Sequence, residues 1–139
     1  MNIAIVGATG NVGRKTLEVI EKKNFKFDNL YLVASPKSAG KKISFKNKDY
    51  LVENLETYDF SKANITFFAA GGKISEKYAE KAAEHTIVID NSSFFRMDPD
   101  VPLIVPQVNG SEVKKMKKNI IANPNCSTAQ LVIALKPLH

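Results

Sequence analysis

The segment NPNCST, residues 123–128, contains the only cysteine of the chain. Cys126 lies between Pro124 and the apolar run AQLVIAL, a pattern that predicts a helix beginning near Ser127. At a helix N-terminus the macrodipole and the free backbone amides favour an ionised thiol, which is the form that attacks a carbonyl carbon. An isolated cysteine before a helix is more often a small buried residue than a nucleophile. The elements that precede it must therefore decide its role.

A glycine-rich turn, GATGNVG, follows the first apolar segment. Its glycines, Gly7, Gly10 and Gly13, have the spacing G-x-x-G-x-x-G, a variant of the dinucleotide fingerprint. Gly7 permits a tight turn, Gly10 lets a pyrophosphate approach the backbone, and Gly13 lets the helix pack closely on the strand. Helix amides then face the anion. At the first strand–helix junction, this turn favours nucleotide binding over a purely structural turn.

The end of the second predicted strand, LYLVA, indicates which dinucleotide binds. Many NAD-binding proteins have Asp or Glu there for the ribose 2′-hydroxyl. This chain has Ser35, Lys37 and Ser38 in that region, so no carboxylate would repel a 2′-phosphate. The pattern favours NADP over NAD, although a basic surface loop would have the same composition.

The remaining segments predict a doubly wound α/β fold. Apolar runs predict parallel strands covered on both faces, and they alternate with helical patterns at residues 12–20, 75–85, 112–118 and 127–135. Ser111 is the expected N-cap of the third helix. Residues 91–109 are expected to be irregular, because three prolines interrupt them, with LIV as a short strand. The expected strands are 2–6, 30–34, ISF and YLV around a lysine-rich turn, 65–70, 86–90 and IIAN.

Composition excludes several classes of partner. With 139 residues, 44% hydrophobic and 24% charged, the chain is expected to form a single globular domain. Its longest apolar runs are far shorter than the ~20 residues of a membrane span, and no secretion signal is recognisable. A single cysteine indicates a reducing compartment, so we expect a cytoplasmic protein without membrane contact. The net charge of +6 comes mostly from lysines on predicted helix faces, which argues against nucleic-acid binding.

Several motifs together carry a family resemblance. GATGNVG, SAGK, FFAAGG, DNSSFFRMDPDVPLIVPQVN and NPNCST, in this order and at these distances, resemble the aspartate-semialdehyde dehydrogenase family from Asn2 to at least Gln130. The resemblance implies an NADPH-dependent reduction of β-aspartyl phosphate to the semialdehyde, with release of phosphate. This reaction stands at the branch point toward lysine, through diaminopimelate, and toward threonine and methionine.

The resemblance also implies roles for individual residues. Cys126 is the expected nucleophile, which carries the acyl group as a thioester, and Arg96 with Asn125 is expected to bind the substrate phosphate. No metal ligands are expected. The expected cofactor-binding residues are Gly7, Thr9, Gly10, Asn11, Val12, Gly13, Ser35, Lys37, Ser38, Gly71 and Gly72.

The match to the family has two departures. Gln107 replaces a Glu that the family often has, and the family's catalytic histidine, acyl-positioning glutamine and substrate-binding arginine lie beyond residue 139; neither His85 nor His139 matches that histidine. We therefore expect residues 1–125 to form an NADP-binding domain and residues 126–139 to begin a catalytic and dimerisation domain that is otherwise absent. The full-length form is expected to be a homodimer, and this chain alone to bind cofactor without turnover. An N-acetyl-glutamyl-phosphate reductase and a non-catalytic nucleotide-binding module remain alternatives.

Overall fold

The computed structural model describes residues 1–139 as one seven-stranded sheet with helices on both faces. The sheet order is β3-β4-β2-β1-β5-β6-β7, and every neighbouring pair is parallel except β3 and β4. The expected doubly wound, mostly parallel fold is confirmed. The strands are β1 Ile3–Val6, β2 Leu30–Ala34, β3 Lys42–Phe45, β4 Lys48–Asn54, β5 Ile65–Phe68, β6 Ile87–Asp90 and β7 Ile120–Ala122; the helices are α1 Asn11–Lys22, α2 Gly72–Ala83, α3 Pro106–Asn109 and α4 Cys126–Leu135.

The strand order reverses at β1. The chain runs from β1 through α1 to β2 on one side, and later returns to place β5 on the other side of β1. In an open parallel sheet, such a reversal leaves a crevice beyond the carboxyl ends of the strands, and ligands bind there. The glycine turn between β1 and α1 lies at this edge.

The strands of the sheet are apolar throughout, as suits a sheet that helices cover on both faces. All four residues of β1 are fully buried. On one face, α2 packs through small side chains, with Ser75, Ala79, Ala82 and Ala83 buried, while Tyr78 is half-buried. On the other face, Leu17 and Ile20 of α1 pack against β1 and β2. Alanines bring α2 close to the strands, which fixes the position of its N-terminus.

The β3–β4 hairpin confirms the predicted strands around a lysine-rich turn. Lys46 and Asn47 both have positive φ, +49° and +60°, which a two-residue turn of the primed type requires. β4 then pairs in parallel with β2, so the hairpin extends the sheet beyond its second strand.

The segment between β6 and β7 differs from the sequence prediction. The helix expected at residues 112–118 is a 3₁₀ segment, Gly110–Lys115, and Ser111 does not cap it. The segment ends at Met116, whose backbone is extended, and the following Lys117 and Lys118 form ion pairs with carboxylates of other segments. The stretch expected to be irregular contains α3, which Pro106 begins, and LIV forms only a single bridge between Leu103 and Ala122.

The other 3₁₀ segments are Phe60–Lys62 and Lys136–Leu138. None of the helices has the combination of length and apolar character that crossing a membrane would demand.

Candidate functional site

The glycine turn excludes side chains at two of its three glycines. Gly7 has φ +84°, and a Cβ there would lie 2.7 Å from the carbonyl oxygen of Ala69 on β5's loop. A Cβ on Gly13 would lie 2.3 Å from the carbonyl oxygen of Gly7. A Cβ on Gly10 would be 3.4 Å from that same oxygen, a much milder contact. The turn therefore requires glycine at positions 7 and 13, where strand, turn and helix meet.

Backbone amides at the start of α1 are left for a ligand. The Gly10 carbonyl accepts the first hydrogen bond of the helix, from the Arg14 amide at 3.0 Å. The amides of Asn11, Val12 and Gly13 precede that bond, so the helix offers them no acceptor of its own. An anion placed at the turn meets these donors and the positive end of the helix dipole.

A cleft of about 520 Å³ opens beside the turn, at the carboxyl ends of β1, β2, β4 and β5. Gly7, Thr9 and Gly10 line one end. Leu55, in the loop after β4, and Tyr78, on helix α2, also line it. An elongated ligand with a phosphate at the turn would place an apolar or aromatic group among the latter residues.

The predicted 2′-phosphate residues are only partly in the cleft. Ser35 lines it, whereas Lys37 and Ser38 do not. The reason is a tight turn, in which the Ser35 carbonyl accepts hydrogen bonds from the Ser38 amide at 2.8 Å and the Ala39 amide at 3.1 Å, leaving Lys37 exposed. Lys77 and Glu56 also line the cleft, and no sequence motif indicates this, because only the sheet topology brings them to the end of β2.

Val12 lies away from this cleft. It lines a second hollow, of about 560 Å³, between α1 and strands β5 and β6, together with Phe67 and Ile89. That hollow is mainly apolar, with Lys15 and Lys23 as its charged lining residues, and the turn glycines line only the first cleft.

Gly71 and Gly72 form the start of α2. Gly71 has φ +88° and is the N-cap, and its carbonyl accepts from the amides of Ile74 and Ser75, each at 3.2 Å. A Cβ on Gly72 would be 4.0 Å from both Ser93 Oγ and Phe94 Cβ. The start of α2 thus lies beside the loop that leads to Arg96.

A buried carboxylate ties α2 to that loop. Asp90, at the end of β6, is fully buried. Its Oδ1 accepts hydrogen bonds from Ser75 Oγ at 2.7 Å and the Ser92 amide at 3.0 Å, and its Oδ2 accepts from Ser92 Oγ at 2.6 Å. Ser92 Oγ in turn accepts from the Phe94 amide at 3.1 Å. The motif DNSS was visible in the sequence, but its partner Ser75 could be found only from the fold.

Arg96 is half-buried and held by backbone carbonyls. Its Nε donates to the Asn123 carbonyl at 3.0 Å and its Nη2 donates to the Asn91 carbonyl at 3.1 Å. The Asn123 side-chain amide also donates to Asn91 Oδ1 at 2.8 Å, joining the same two segments. A guanidinium has five N–H donors, so three remain for an anion.

Cys126 is the first residue of α4. Its thiol is exposed, and Sγ lies 3.8 Å from Asn125 Oδ1. Asn125 is the N-cap, and its Oδ1 accepts from the Ser127 amide at 2.9 Å. The helix therefore begins one residue earlier than predicted, and it has no buried residue of its own.

These groups lie along one edge of the sheet. Because β1, β5, β6 and β7 are parallel, their carboxyl ends carry in order the glycine turn, Gly71, the Arg96 loop and Cys126. His85 follows the C-terminal end of α2, which lies toward the opposite edge. The structure thus brings the predicted cofactor, phosphate and nucleophile residues to the same edge, and leaves His85 away from them.

Comparison with known proteins finds relatives that match nearly the whole chain. A family model described as "Semialdehyde dehydrogenase, NAD binding domain" matches residues 2–116. The aspartate-semialdehyde dehydrogenase of Aquifex aeolicus is 54% identical over 140 residues, which cover 99% of this chain and 41% of that protein.

Solved structures show the same likeness. A Vibrio cholerae aspartate semialdehyde dehydrogenase II complexed with ASA has a TM-score of 0.96 at 50% identity, covering 99% of this chain and 45% of that one. The Candida albicans aspartate semialdehyde dehydrogenase with NADP has a TM-score of 0.76 at 31% identity, covering 99% of this chain and 46% of that one. This chain spans about two fifths of the length of the curated relatives. The resemblance predicted from the motifs is confirmed: the chain belongs to the semialdehyde dehydrogenase family and carries its NAD-binding domain.

Proposed function

We propose that this chain supplies the NADP-binding domain and the cysteine nucleophile of an aspartate-semialdehyde dehydrogenase. The observation that carries the proposal is the order of groups along one sheet edge, from the glycine turn through Arg96 to Cys126. The relatives named as aspartate-semialdehyde dehydrogenases support the choice of substrate. The reaction would serve amino-acid biosynthesis, by reducing β-aspartyl phosphate to aspartate semialdehyde.

The proposed cofactor is NADP rather than NAD. The glycine turn and the amides of α1 suit the pyrophosphate, and Ser35 stands where NAD-binding proteins often have a carboxylate. The Candida albicans relative was solved with NADP, which supports the same choice. When bound, the cofactor would supply the hydride that reduces the acyl group.

Cys126 and Arg96 have complementary roles in the proposed acyl transfer. The Cys126 thiolate would attack the β-carbonyl carbon of aspartyl phosphate, forming a carbon–sulfur bond as the carbon–oxygen bond to phosphate breaks. The phosphate leaves with its electron pair, and the three free donors of Arg96 would bind it. Asn125 Oδ1 is occupied by the helix cap, so only its amide NH₂ is free to contact the substrate.

The domain boundary is proposed at the N-cap of α4. Residues 1–125 contain the sheet and both of its long covering helices, whereas α4 has no buried residue. Residues 126–139 would then begin a catalytic and dimerisation domain, as the homodimer expected for the longer form requires. A free exposed thiol is stable in a reducing compartment, which supports a cytoplasmic location.

Acylation of Cys126 tests the proposed substrate. The chain is mixed with β-aspartyl phosphate or N-acetyl-γ-glutamyl phosphate, and the acyl group on the protein is located by mass spectrometry of peptides. We expect aspartyl transfer to Cys126, and none in Cys126→Ser. Preferential transfer from the N-acetyl-glutamyl compound, or equal labelling of the serine variant, would contradict the proposal.

Cofactor binding is tested separately, by fluorescence titration with NADPH and NADH. We expect tighter binding of NADPH. Failure of both dinucleotides to bind would overturn the cofactor role of this domain.

A further inference from the structure

The buried carboxylate of Asp90 takes no part in the acyl transfer proposed above. It is fully buried at the end of β6, and none of the ion pairs of the chain includes it. A carboxylate in such surroundings depends on hydrogen bonds, which here come from Ser75 Oγ and from the amide and hydroxyl of Ser92. The groups joined to these donors show what the carboxylate can position.

One of the donors belongs to a peptide group that also contacts Arg96. The peptide that joins Asn91 to Ser92 donates its N–H to Asp90 Oδ1 at 3.0 Å. The C=O of the same peptide accepts from Arg96 Nη2 at 3.1 Å. Because a trans peptide is planar, its N–H and C=O point in opposite directions, and fixing one fixes the other. The carboxylate therefore orients a carbonyl that holds the guanidinium.

The second carbonyl that holds Arg96 is connected to Asp90 through the main chain. The Asn123 carbonyl accepts from Arg96 Nε at 3.0 Å, and the Asn123 amide donates to the main-chain carbonyl of Asp90 at 2.8 Å. This bond does not use the carboxylate, so a substitution at position 90 can leave it in place. The contribution of the Asp90 side chain to Arg96 is thus confined to the peptide between Asn91 and Ser92.

The short loop between Asp90 and Arg96 is tied to the same carboxylate. The Ser92 hydroxyl donates to Asp90 Oδ2 at 2.6 Å and accepts from the Phe94 amide at 3.1 Å. Phe95, the next residue, is 2% exposed and packs in the core. Such side-chain bonds to nearby amides fold the chain into consecutive turns. Arg96 therefore leaves a loop whose path is fixed at both ends.

We propose that Asp90 is a positioning residue of the phosphate site: its carboxylate orients the peptide between Asn91 and Ser92, and that peptide orients the Arg96 guanidinium. The inference rests on the proposed function, in which Arg96 binds the substrate phosphate. A carboxylate paired directly with Arg96 would compete with phosphate for the same N–H donors. The intervening neutral peptide aligns the guanidinium and leaves three of its donors free.

The test compares two substitutions of Asp90. Asp90→Ala removes both oxygens, whereas Asp90→Asn keeps one oxygen that can accept from the Ser92 amide, as a weaker, neutral acceptor. Inorganic phosphate is titrated against the chain and followed by NMR through the guanidinium N–H signals of Arg96. We expect the affinity to fall about fivefold in Asp90→Ala, the scale of one lost hydrogen bond, and to fall less in Asp90→Asn.

The sign of this effect separates orientation from charge. Removing a negative charge near an anion site would by itself strengthen phosphate binding, so weaker binding indicates lost orientation. The Arg96 guanidinium N–H signals should also exchange faster with water in the same order, from wild type through Asp90→Asn to Asp90→Ala. Arg14, whose Nε donates to the Thr9 carbonyl, is the reference, and its signals should not change.

Ser75→Ala is the matched control. It removes a hydrogen bond to the same Asp90 oxygen, but from α2 and not from the peptide that contacts Arg96. We expect it to lower the free energy of unfolding while phosphate affinity stays within about twofold of wild type. NADPH affinity should stay within the same range in every variant, because the glycine turn lies at the other end of the sheet edge.

Two outcomes would overturn the positioning role. One is phosphate binding in Asp90→Ala that is unchanged or stronger, and the other is an equal loss in Ser75→Ala. If Asp90→Ala does not fold, Asp90→Asn decides, and wild-type exchange and phosphate affinity in that variant would overturn the role. If the wild-type chain does not bind phosphate, the proposed role of Arg96 fails, whereas faster Arg96 exchange in the Asp90 variants would still support the positioning.

Discussion

The glycine turn and the cysteine helix lie at the same edge of the sheet, but they are held in place differently. The turn is fixed by contact, because Gly7 and Gly13 approach neighbouring backbone so closely that no side chain fits. Helix α4 buries none of its residues, and Leu131, Ile133 and Leu135 are 57%, 42% and 47% exposed. The other end of this sheet edge, from Arg96 to helix α4 and here called the thiol end, depends instead on one helix cap and on the hydrogen bonds of Arg96. The glycine turn is therefore held by the core, whereas the exposed thiol of Cys126 is held by a helix cap and nearby hydrogen bonds.

The largest effect is expected at the turn. In Gly13→Ala the new Cβ would lie 2.3 Å from the Gly7 carbonyl oxygen, so α1 must shift from the sheet. We expect a loss of about 3 kcal/mol in the free energy of unfolding, at the upper end of overpacking costs, together with loss of NADPH binding. Denaturant unfolding and fluorescence titration measure both.

Gly10→Ala is the control for this substitution, because its Cβ meets the same oxygen only at 3.4 Å. Gly10→Ala should lower the free energy of unfolding clearly less than Gly13→Ala does. A Gly13→Ala protein as stable as the wild type would contradict the contrast between the glycine turn and the thiol end.

At the thiol end, the corresponding change is Asn125→Ala. It removes the oxygen that accepts from the Ser127 amide, and the loss of such a cap costs about 1 kcal/mol. Because α4 is not packed in the core, the loss should appear as fraying of its first turn rather than as global unfolding.

Amide hydrogen exchange at residues 127–129 measures that fraying. Asn125→Asp keeps an accepting oxygen and should retain protection. Unchanged exchange in Asn125→Ala would show that contacts other than the cap hold the helix, and a lower global stability would show that α4 belongs to the core.

A smaller effect is expected from the loop that carries Arg96. The Asp100 amide, and next the Lys118 ammonium, hold the pKa of Asp98 below its usual value. The resulting stabilisation is complete above the unfolded pKa near 3.8 and is lost as pH falls through the lower folded value. We expect less than about 1 kcal/mol, because the groups are close to the surface.

The difference in unfolding free energy between wild type and Asp98→Asn isolates this contribution. It should be present at pH 6 and should shrink as pH approaches 3. A difference that stays constant over this range would assign the effect to packing rather than to charge. Either outcome shows how much of the thiol end depends on ion pairs.

The sequence predicted most of the fold because its strands are apolar throughout and its glycines stand at a strand–helix junction. It also predicted roles for Cys126 and Arg96, whose motifs are local, and those roles stay predictions. It could not identify Lys77 or Glu56 as lining residues, because their meeting depends on β4 pairing with β2 and on α2 crossing the same face. The Ser75–Asp90 hydrogen bond was missed for the same reason. The 3₁₀ segment Gly110–Lys115 was predicted as a helix with Ser111 as its N-cap, and the sequence could not show that Lys117 and Lys118 pair with carboxylates of distant segments.

The anchoring of Arg96 has a consequence for how fast and how tightly an anion could be captured. Two carbonyl oxygens already hold the guanidinium, so its long side chain loses its rotamer freedom on folding rather than on binding. That freedom is worth up to about 2 kcal/mol for an arginine, and an arriving phosphate would not have to remove it. Neutral carbonyls also leave the positive charge uncompensated. The proposed phosphate site at Arg96 is thus oriented before binding, and its positive charge attracts anions and repels cations.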